Sequence, residues 1–317
     1  MQNATARPSS QEASTLSATR PALGAHDARR LLRLPEHAEL DLVELPDGRF
    51  NWCWKATSDR GRYLLKLNAD QGIRHLRRLE RSTRRAAQAG VQVPPVDRVG
   101  IDPEFGPFLV QSWLEGQTLS DWLDAGGADG CDPLPWPGLG RQIGLLHSSD
   151  LVGVRAPARI GRSTRTRELR GMLTEAHRAE LLDASLAEAT LRRATTLLDE
   201  MVDHEPVFCH LDIHPRNILV TEPGAVALLD FDHARPTDPV YDFVKVQMWC
   251  AQRPEELRLV LHGYEQTRTL RQDQSFWSAL VFYRMVNHLS YSLYWSHRDP
   301  SHVGEWIAAL IKEIETP

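Results

Sequence analysis

The sequence predicts an α+β protein: an antiparallel five-stranded sheet in the first third, then a predominantly helical remainder. Between residues 40 and 114, short runs alternating apolar and polar residues are separated by turn sequences such as Pro46-Asp47-Gly48 and Ser58-Asp59-Arg60-Gly61, the signature of strands joined through hairpins. From Pro137 onward the apolar spacing turns helical. At 317 residues the chain is long enough to bury a core in each of two lobes.

Taken in order, residues 1–25 are rich in Ser, Thr, Ala and Arg with no apolar run, the composition of a disordered tail. Ala25 to Leu32 reads as a short helix with Asp27 as its cap. Leu40 to Leu45, Trp52 to Thr57 and Arg62 to Leu67 read as three successive strands. Ile73 to Gly90 has helical period, and Glu80 is its only acid among Arg74, Arg77, Arg78, Arg81, Arg84 and Arg85. Pro94-Pro95 ends that segment. Val96 to Gly100 and Pro107 to Leu114 complete the sheet around a turn at Asp102 to Gly106. The expected organisation is a tail at 1–25, a sheet lobe at 26–113 and a helical lobe at 114–317.

In the helical part, Leu139 to His147 forms a helix whose terminal His147 reads as structural. Six arginines between Arg155 and Arg170 read as a solvated basic surface, and Arg178 to Val202 as an amphipathic helical stretch. The stretch from Glu255 to Ile314 is helical and aromatic, and most of those rings are expected in the core.

Composition narrows the function. Apolar content of 42%, charged content of 25%, a net charge of −5 and a pI near 6.2 describe a soluble globular protein and argue against a general nucleic-acid binder. The cysteines, Cys53, Cys131, Cys209 and Cys250, include no C-x-x-C pair, so neither a zinc site nor a disulfide framework is expected. They read as reduced thiols of a cytoplasmic protein. No apolar run approaches the ~20 residues of a membrane span. Of 37 basic residues only Lys55, Lys66, Lys245 and Lys312 are lysine, so a lysine in a motif stands out.

The chemistry concentrates in Cys209-His210-Leu211-Asp212-Ile213-His214-Pro215-Arg216-Asn217-Ile218-Leu219-Val220, followed by Leu228-Leu229-Asp230-Phe231-Asp232. An acid, a histidine and an amide share one loop, and a second acid ends the returning strand. Asp212 can accept a hydroxyl proton, while Asn217 and Asp230 offer the oxygen ligands that Mg²⁺ prefers. These are the parts that phosphoryl transfer from a nucleoside triphosphate requires.

The spacing His-x-Asp-x-His-Pro-x-Asn, then Asp-Phe-Asp, then Asp238-Pro239-Val240-Tyr241-Asp242-Phe243 resembles the aminoglycoside phosphotransferase family, small-molecule kinases of the protein-kinase-like two-lobed fold. The resemblance implies ATP, with GTP as a substitute, together with Mg²⁺. It makes Asp212 the catalytic base and Asn217 and Asp230 the metal ligands. Lys66, in its third strand, would meet the nucleotide phosphates and pair with Glu80; the alternative for Glu80 is a neighbouring arginine on its own helix. Gly48 and Asn51 would cover the phosphates, backbone groups around Ser112 and Leu114 would hold the adenine, and His214 would touch the γ-phosphate or brace the loop. His210 and Asp242 would be structural.

Two departures bear on the acceptor. Leu211 stands where protein kinases carry Arg, and only seven residues separate Asp230 from Asp238 with no Ala-Pro-Glu after them, too little chain to lay out a peptide. A small-molecule hydroxyl is the expected acceptor. Leu211 also replaces the Gly common in the aminoglycoside family, and Arg216 the small residue often found before the Asn. The expected function is therefore O-phosphorylation of an aminoglycoside or other antibiotic. The alternatives are a metabolic kinase of choline, an amino alcohol, a sugar or a vitamin, and, in another class, a nucleotide-binding pseudoenzyme. No nucleic-acid or membrane partner is expected, and the oligomeric state is expected to be monomer or homodimer.

Overall fold

The computed structural model describes residues 21–45, 52–68, 72–127, 134–250 and 253–316. The chain divides into two compact units, Met1–Leu76 with Asp97–Ser112, and Arg77–Val96 with Trp113–Pro317.

The first unit is built on one sheet. Helix α1 (Ala25–Leu32) precedes strands β1 (Leu40–Glu44), β2 (Trp52–Ser58) and β3 (Gly61–Leu67). Helix α2 (Gly72–Gln88) follows, and its residues from Arg77 onward group with the second unit. Strands β4 (Val96–Asp102) and β5 (Gly106–Ser112) complete the sheet in the order β1-β2-β3-β5-β4. The expected five strands are all present. The first helix forms where expected, but its N-cap is Gly24 rather than Asp27. The Gly24 carbonyl already accepts from Ala28 N at 3.0 Å, which leaves Asp27 in the first turn, where it pairs with Arg30 at 3.1 Å.

Pleating decides where Lys66 points. Leu65 and Leu67 join Leu31, Trp54, Phe108 and Val110 in a buried apolar cluster. Neighbours along a strand face opposite sides, so Lys66 lies on the other face, 7% exposed, between Cys53 of β2 and Leu109 of β5.

The second unit contains β6 (Gln117–Thr118), α3 (Leu119–Asp124), α4 (Pro135–His147), α5 (Arg162–Arg178), α6 (Ala184–Glu200), β7 (Val207–Cys209), β8 (Ile218–Glu222), β9 (Ala225–Leu228), β10 (Arg235–Thr237), α7 (Tyr241–Trp249), α8 (Pro254–Glu265), α9 (Gln274–Ser296) and α10 (Val303–Glu315). β6, β8 and β9 form one small sheet, β7 and β10 another. Helices α4 and α8 pack with almost no gap. A Cβ on Gly140 would strike the Val260 carbonyl, and one on Gly263 the Pro137 carbonyl, so glycine at both positions lets the backbones meet.

The helical stretch expected over Arg178 to Val202 is α6, which starts later than expected, at Ala184. α5 ends at Arg178, and Asp183 starts α6 by accepting from Leu186 N at 2.7 Å, an N-cap embedded in the run. The expected basic surface holds for Arg155, Arg159, Arg162, Arg167 and Arg170, which are exposed. Arg165 is the exception, at 1% exposure. It donates to the Asp238 carboxylate at 2.5 Å, the Tyr283 hydroxyl at 3.1 Å and the Val202 carbonyl at 3.1 Å. Of the aromatic residues, Tyr264, Phe276, Phe282 and Tyr283 are core, whereas Trp277 is 40% exposed. Among the described residues no helix is long and apolar enough to cross a membrane.

Candidate active site

The loop between β7 and β8 lies entirely in the second unit, and its shape follows from a few backbone commitments. His210, fully buried, has both ring nitrogens engaged. Nε2 lies 2.8 Å from the Leu229 carbonyl, and Nδ1 accepts from Asp212 N at 3.2 Å. That pair of partners fixes the neutral Nε2–H tautomer. Burial lowers the pKa of the ring, which keeps it uncharged. The histidine is a buttress, as its position implies.

Leu211 takes φ +67°, the left-handed region that glycine enters most easily. Here the buried Leu211 side chain packs against Val207, Cys209 and Tyr241, and its N–H donates to Asp242 Oδ1 at 2.7 Å.

Asp242 is the floor of the loop. Its Oδ2 accepts from His210 N at 2.8 Å and lies 3.0 Å from His147 Nε2, whose Nδ1 is 3.0 Å from the Tyr264 hydroxyl. Burial alone would raise the Asp242 carboxyl, but His147, His210 and the Leu211 N–H hold it below its ordinary value. Cys209, His147 and Asp242 approach one another closely enough to suggest a metal. Their chemistry does not fit one: both Asp242 oxygens and both His147 nitrogens are engaged, and burial pushes the Cys209 thiol well above its usual range.

Asp212, by contrast, stands at the rim with its side chain 18% exposed. Oδ2 accepts from Asn217 Nδ2 at 2.9 Å, and that same amide nitrogen reaches the Asp212 carbonyl at 3.0 Å. Oδ1 is held by Lys245 Nζ, from the middle of α7. His214 Nε2 is 3.6 Å from Oδ2, an electrostatic neighbour too long for a hydrogen bond. Burial would raise this carboxyl too, but His214 and Lys245 pull it far below the carboxylate range. His214 Nδ1 accepts from Arg216 N at 3.2 Å and caps the short turn Pro215–Asn217, so bracing the loop is one task it performs.

The two expected metal ligands are brought together by a hairpin. β8 and β9 pair Ile218 with Leu228, and Leu229 N donates to the Asn217 carbonyl at 2.9 Å. Asn217 and Asp230 therefore end adjacent strands side by side. The donor set fits a hard cation: with its nitrogen committed twice to Asp212, the Asn217 amide keeps Oδ1 for a ligand, and Asp230 adds a carboxylate. Asp230 adopts φ +59°, a conformation aspartate tolerates better than most residues. Asp232 lies in the turn Phe231–His233, where its carbonyl accepts from Arg78 at 3.1 Å.

The remaining expected residues divide. Gly48 and Asn51 lie outside the described residues. Glu80 makes its alternative contact, accepting from Arg84 at 2.9 Å one turn away. Ser112 ends β5, where its hydroxyl donates to Asp97 at 3.2 Å, and Leu114 lies just beyond, after the chain passes to the second unit. Sequence reasoning overlooked Lys245. A signal existed: it is one of four lysines, and it lies three residues after Asp242, one helical turn along the same face.

The profile of the phosphotransferase enzyme family matches residues 41–275. No curated protein matches the sequence. Among solved structures, the fold is similar to a thermostable mutant of aminoglycoside phosphotransferase APH(4)-Ia in ternary complex with AMP-PNP and hygromycin B, at 16% identity and TM-score 0.67, covering 91% of this chain and 99% of that one. It is also similar to macrolide 2'-phosphotransferase MphH from Brachybacterium faecium, at 19% identity and TM-score 0.64, covering 92% and 98%. A third likeness, at 16% identity and TM-score 0.65, is to aminoglycoside 2'-phosphotransferase-IIIa in its GDP complex, covering 91% and 97%. With its kinase-like fold and most of its length matched by the family profile, the chain belongs to the phosphotransferase enzyme family.

Proposed function

We propose that this phosphotransferase moves the γ-phosphate of ATP, in the presence of Mg²⁺, to a hydroxyl of a small molecule, with an aminoglycoside or another hydroxylated antibiotic as first candidate. The observation that supports this most directly is the Asp212–Asn217 arrangement. One side chain presents a charged acceptor at the rim of the loop, while the other is turned so that its oxygen remains for a cation.

In this reading Asp212 accepts the hydrogen bond of the acceptor hydroxyl and aligns its oxygen with the γ-phosphorus. As the new O–P bond forms and the bond to the β-phosphate oxygen breaks, the hydroxyl proton passes to Asp212 and ADP departs. Because the transition state is loose, alignment matters more than basicity, and a carboxylate held below its usual pKa range is adequate. Asn217 and Asp230 would hold Mg²⁺, which supplies charge neutralisation at the phosphate oxygens. We assign the phosphates to Lys66, with Glu80 exchanging Arg84 for it, and to the segment containing Gly48 and Asn51. The adenine falls to backbone groups near Ser112 and Leu114, and His214 faces the γ-phosphate. The solved relatives crystallised with AMP-PNP and with GDP leave ATP and GTP both to be tried.

The test is Mg²⁺-dependent ADP release across aminoglycosides, other hydroxylated antibiotics, choline, amino alcohols and sugars, with Asp212→Ala as control. Acceptor-stimulated release that the variant loses is the expected result. Nucleotide binding with no turnover on any acceptor would favour a binding protein, and no nucleotide binding would overturn the proposal.

A further inference from the structure

One face of α7 grips the catalytic loop residue by residue. Asp242 takes the backbone N–H groups of His210 and Leu211, Lys245 takes the side chain of Asp212, and Trp249 Nε1 donates to the Ile213 carbonyl at 3.3 Å. Positions 242, 245 and 249 are spaced i, i+3, i+7, a single helical stripe, and they contact residues 210 to 213 in order. Three of the four contacts fix backbone. Only the Lys245 contact is to a functional group.

The lysine is itself held. Its Nζ lies 5.3 Å from the centroid of the Tyr291 ring, within cation–π range, and Tyr291 stacks on Trp306 of α10 at 4.4 Å and 16°. The Lys245 side chain is 16% exposed. A flexible four-carbon stem is thus confined between a carboxylate and an aromatic stack, an arrangement that costs side-chain entropy and produces one ammonium position. Asp212 in turn has one oxygen on Lys245 and the other on Asn217. A carboxylate tied at both oxygens cannot rotate about its terminal bond, so the lone pairs left for an acceptor hydroxyl point in fixed directions.

We infer that Lys245 is a positioning residue for phosphoryl transfer: it locks the plane of the Asp212 carboxylate and so sets the approach of the acceptor hydroxyl. The inference rests on the reading of Asp212 as the catalytic group. Lysine serves better than a planar guanidinium would, because a compact point charge binds a single oxygen and leaves the second to Asn217.

Two measurements test it. In steady-state kinetics, Lys245→Met is expected to lower kcat about 10- to 100-fold, the usual cost of removing a group that orients a functional ligand, with KM for nucleotide and acceptor changed less than about threefold. Lys245→Arg is expected to restore part of kcat. An increase in acceptor KM at unchanged kcat would make Lys245 an acceptor-binding residue and overturn the inference, as would no change in either constant. The second measurement needs no acceptor. With only four lysines, amine acetylation in the nucleotide-free protein can be followed at each by mass spectrometry. Lys245 is expected to react more slowly than Lys312, and faster once Asp212→Asn removes the partner carboxylate that holds its ammonium. Equal rates in the two proteins would overturn the Lys245–Asp212 contact whether or not an acceptor has been found. Slowed labelling in a protein inactive on every acceptor would sink the function proposed above and leave the contact standing.

Discussion

Two carboxylates bound to the loop between β7 and β8 are held in opposite ways. Asp242 is fully enclosed and takes three donors from residues that never meet solvent. Asp212 is partly open, and one of its partners is a lysine whose stem runs toward the C-terminal helices. Both are held below the ordinary carboxylate pKa against the effect of burial. What separates them is access: all of Asp242's capacity is spent on the protein, whereas Asp212 retains lone pairs that face outward. A depressed pKa therefore marks both the sealed carboxylate and the open one, and only geometry distinguishes them.

The largest effects should split along this line. Asp212→Ala is expected to reduce phosphotransfer by about 10³-fold or more, within the range for loss of a general base, while nucleotide binding and the folded state persist. Matched turnover and isothermal titration measure both, and retained turnover would refute the assignment. Asp242→Ala should do the reverse. It leaves two buried N–H groups and His147 without their acceptor, a loss of about 3–5 kcal/mol, read as a lower urea midpoint before any kinetic effect.

A second buried ion pair extends the structural side of the comparison. Arg165→Met should cost about 3 kcal/mol, because Asp238 would remain buried with its charge uncompensated; thermal unfolding of the variant checks it. If the variant were as stable as the wild type, Arg165 would belong with the exposed arginines around it.

Acid should weaken the far side of the helical unit. Glu313 is bound twice by Arg284, at 2.6 and 2.7 Å, and Arg284 also reaches Gln247 of α7 at 2.5 Å. Burial pushes the Glu313 carboxyl up, but His288 and Arg284 bring it down to about 2. The unfolded-state value is about 4.3, so the folded form binds the proton less well. Its contribution, on the order of 2 kcal/mol, is fully present above about pH 4.3 and is lost as pH falls toward 2. Chemical unfolding at pH 6 and pH 3 should show this loss, and Glu313→Gln should remove that part of the pH dependence.

The smallest effect concerns Leu211. With its backbone left-handed, Leu211→Gly should be more stable than Leu211→Ala by about 1 kcal/mol, the reverse of the usual order in a helix. The two variants lose nearly the same packing, so their difference in melting temperature isolates the backbone term.

Much of this was legible before any coordinates. The five strands could be read because alternation and turn residues are local signals, and Pro and Gly punctuated them. That Asp212, Asn217 and Asp230 lie on one loop and one hairpin is legible in the same way, because a hairpin's register places its ends together. The N-cap at Asp183 is also a local signal, but it lies inside an amphipathic run, so the start of α6 falls six residues later than the apolar period alone predicts. Arg165 looked like its five neighbours, because whether an arginine meets water or Asp238 depends on a partner 73 residues away.

By itself, then, the sequence determined the order of strands and helices, the face on which Lys66 lies and the residue types gathered at the catalytic loop, since each depends on neighbours a few positions apart. Tertiary structure alone decided which of the two aspartates is sealed and which is open, and that Lys245 meets Asp212. Those outcomes depend on helices distant in sequence packing against the loop, and on how burial and charge balance at each carboxylate once they do.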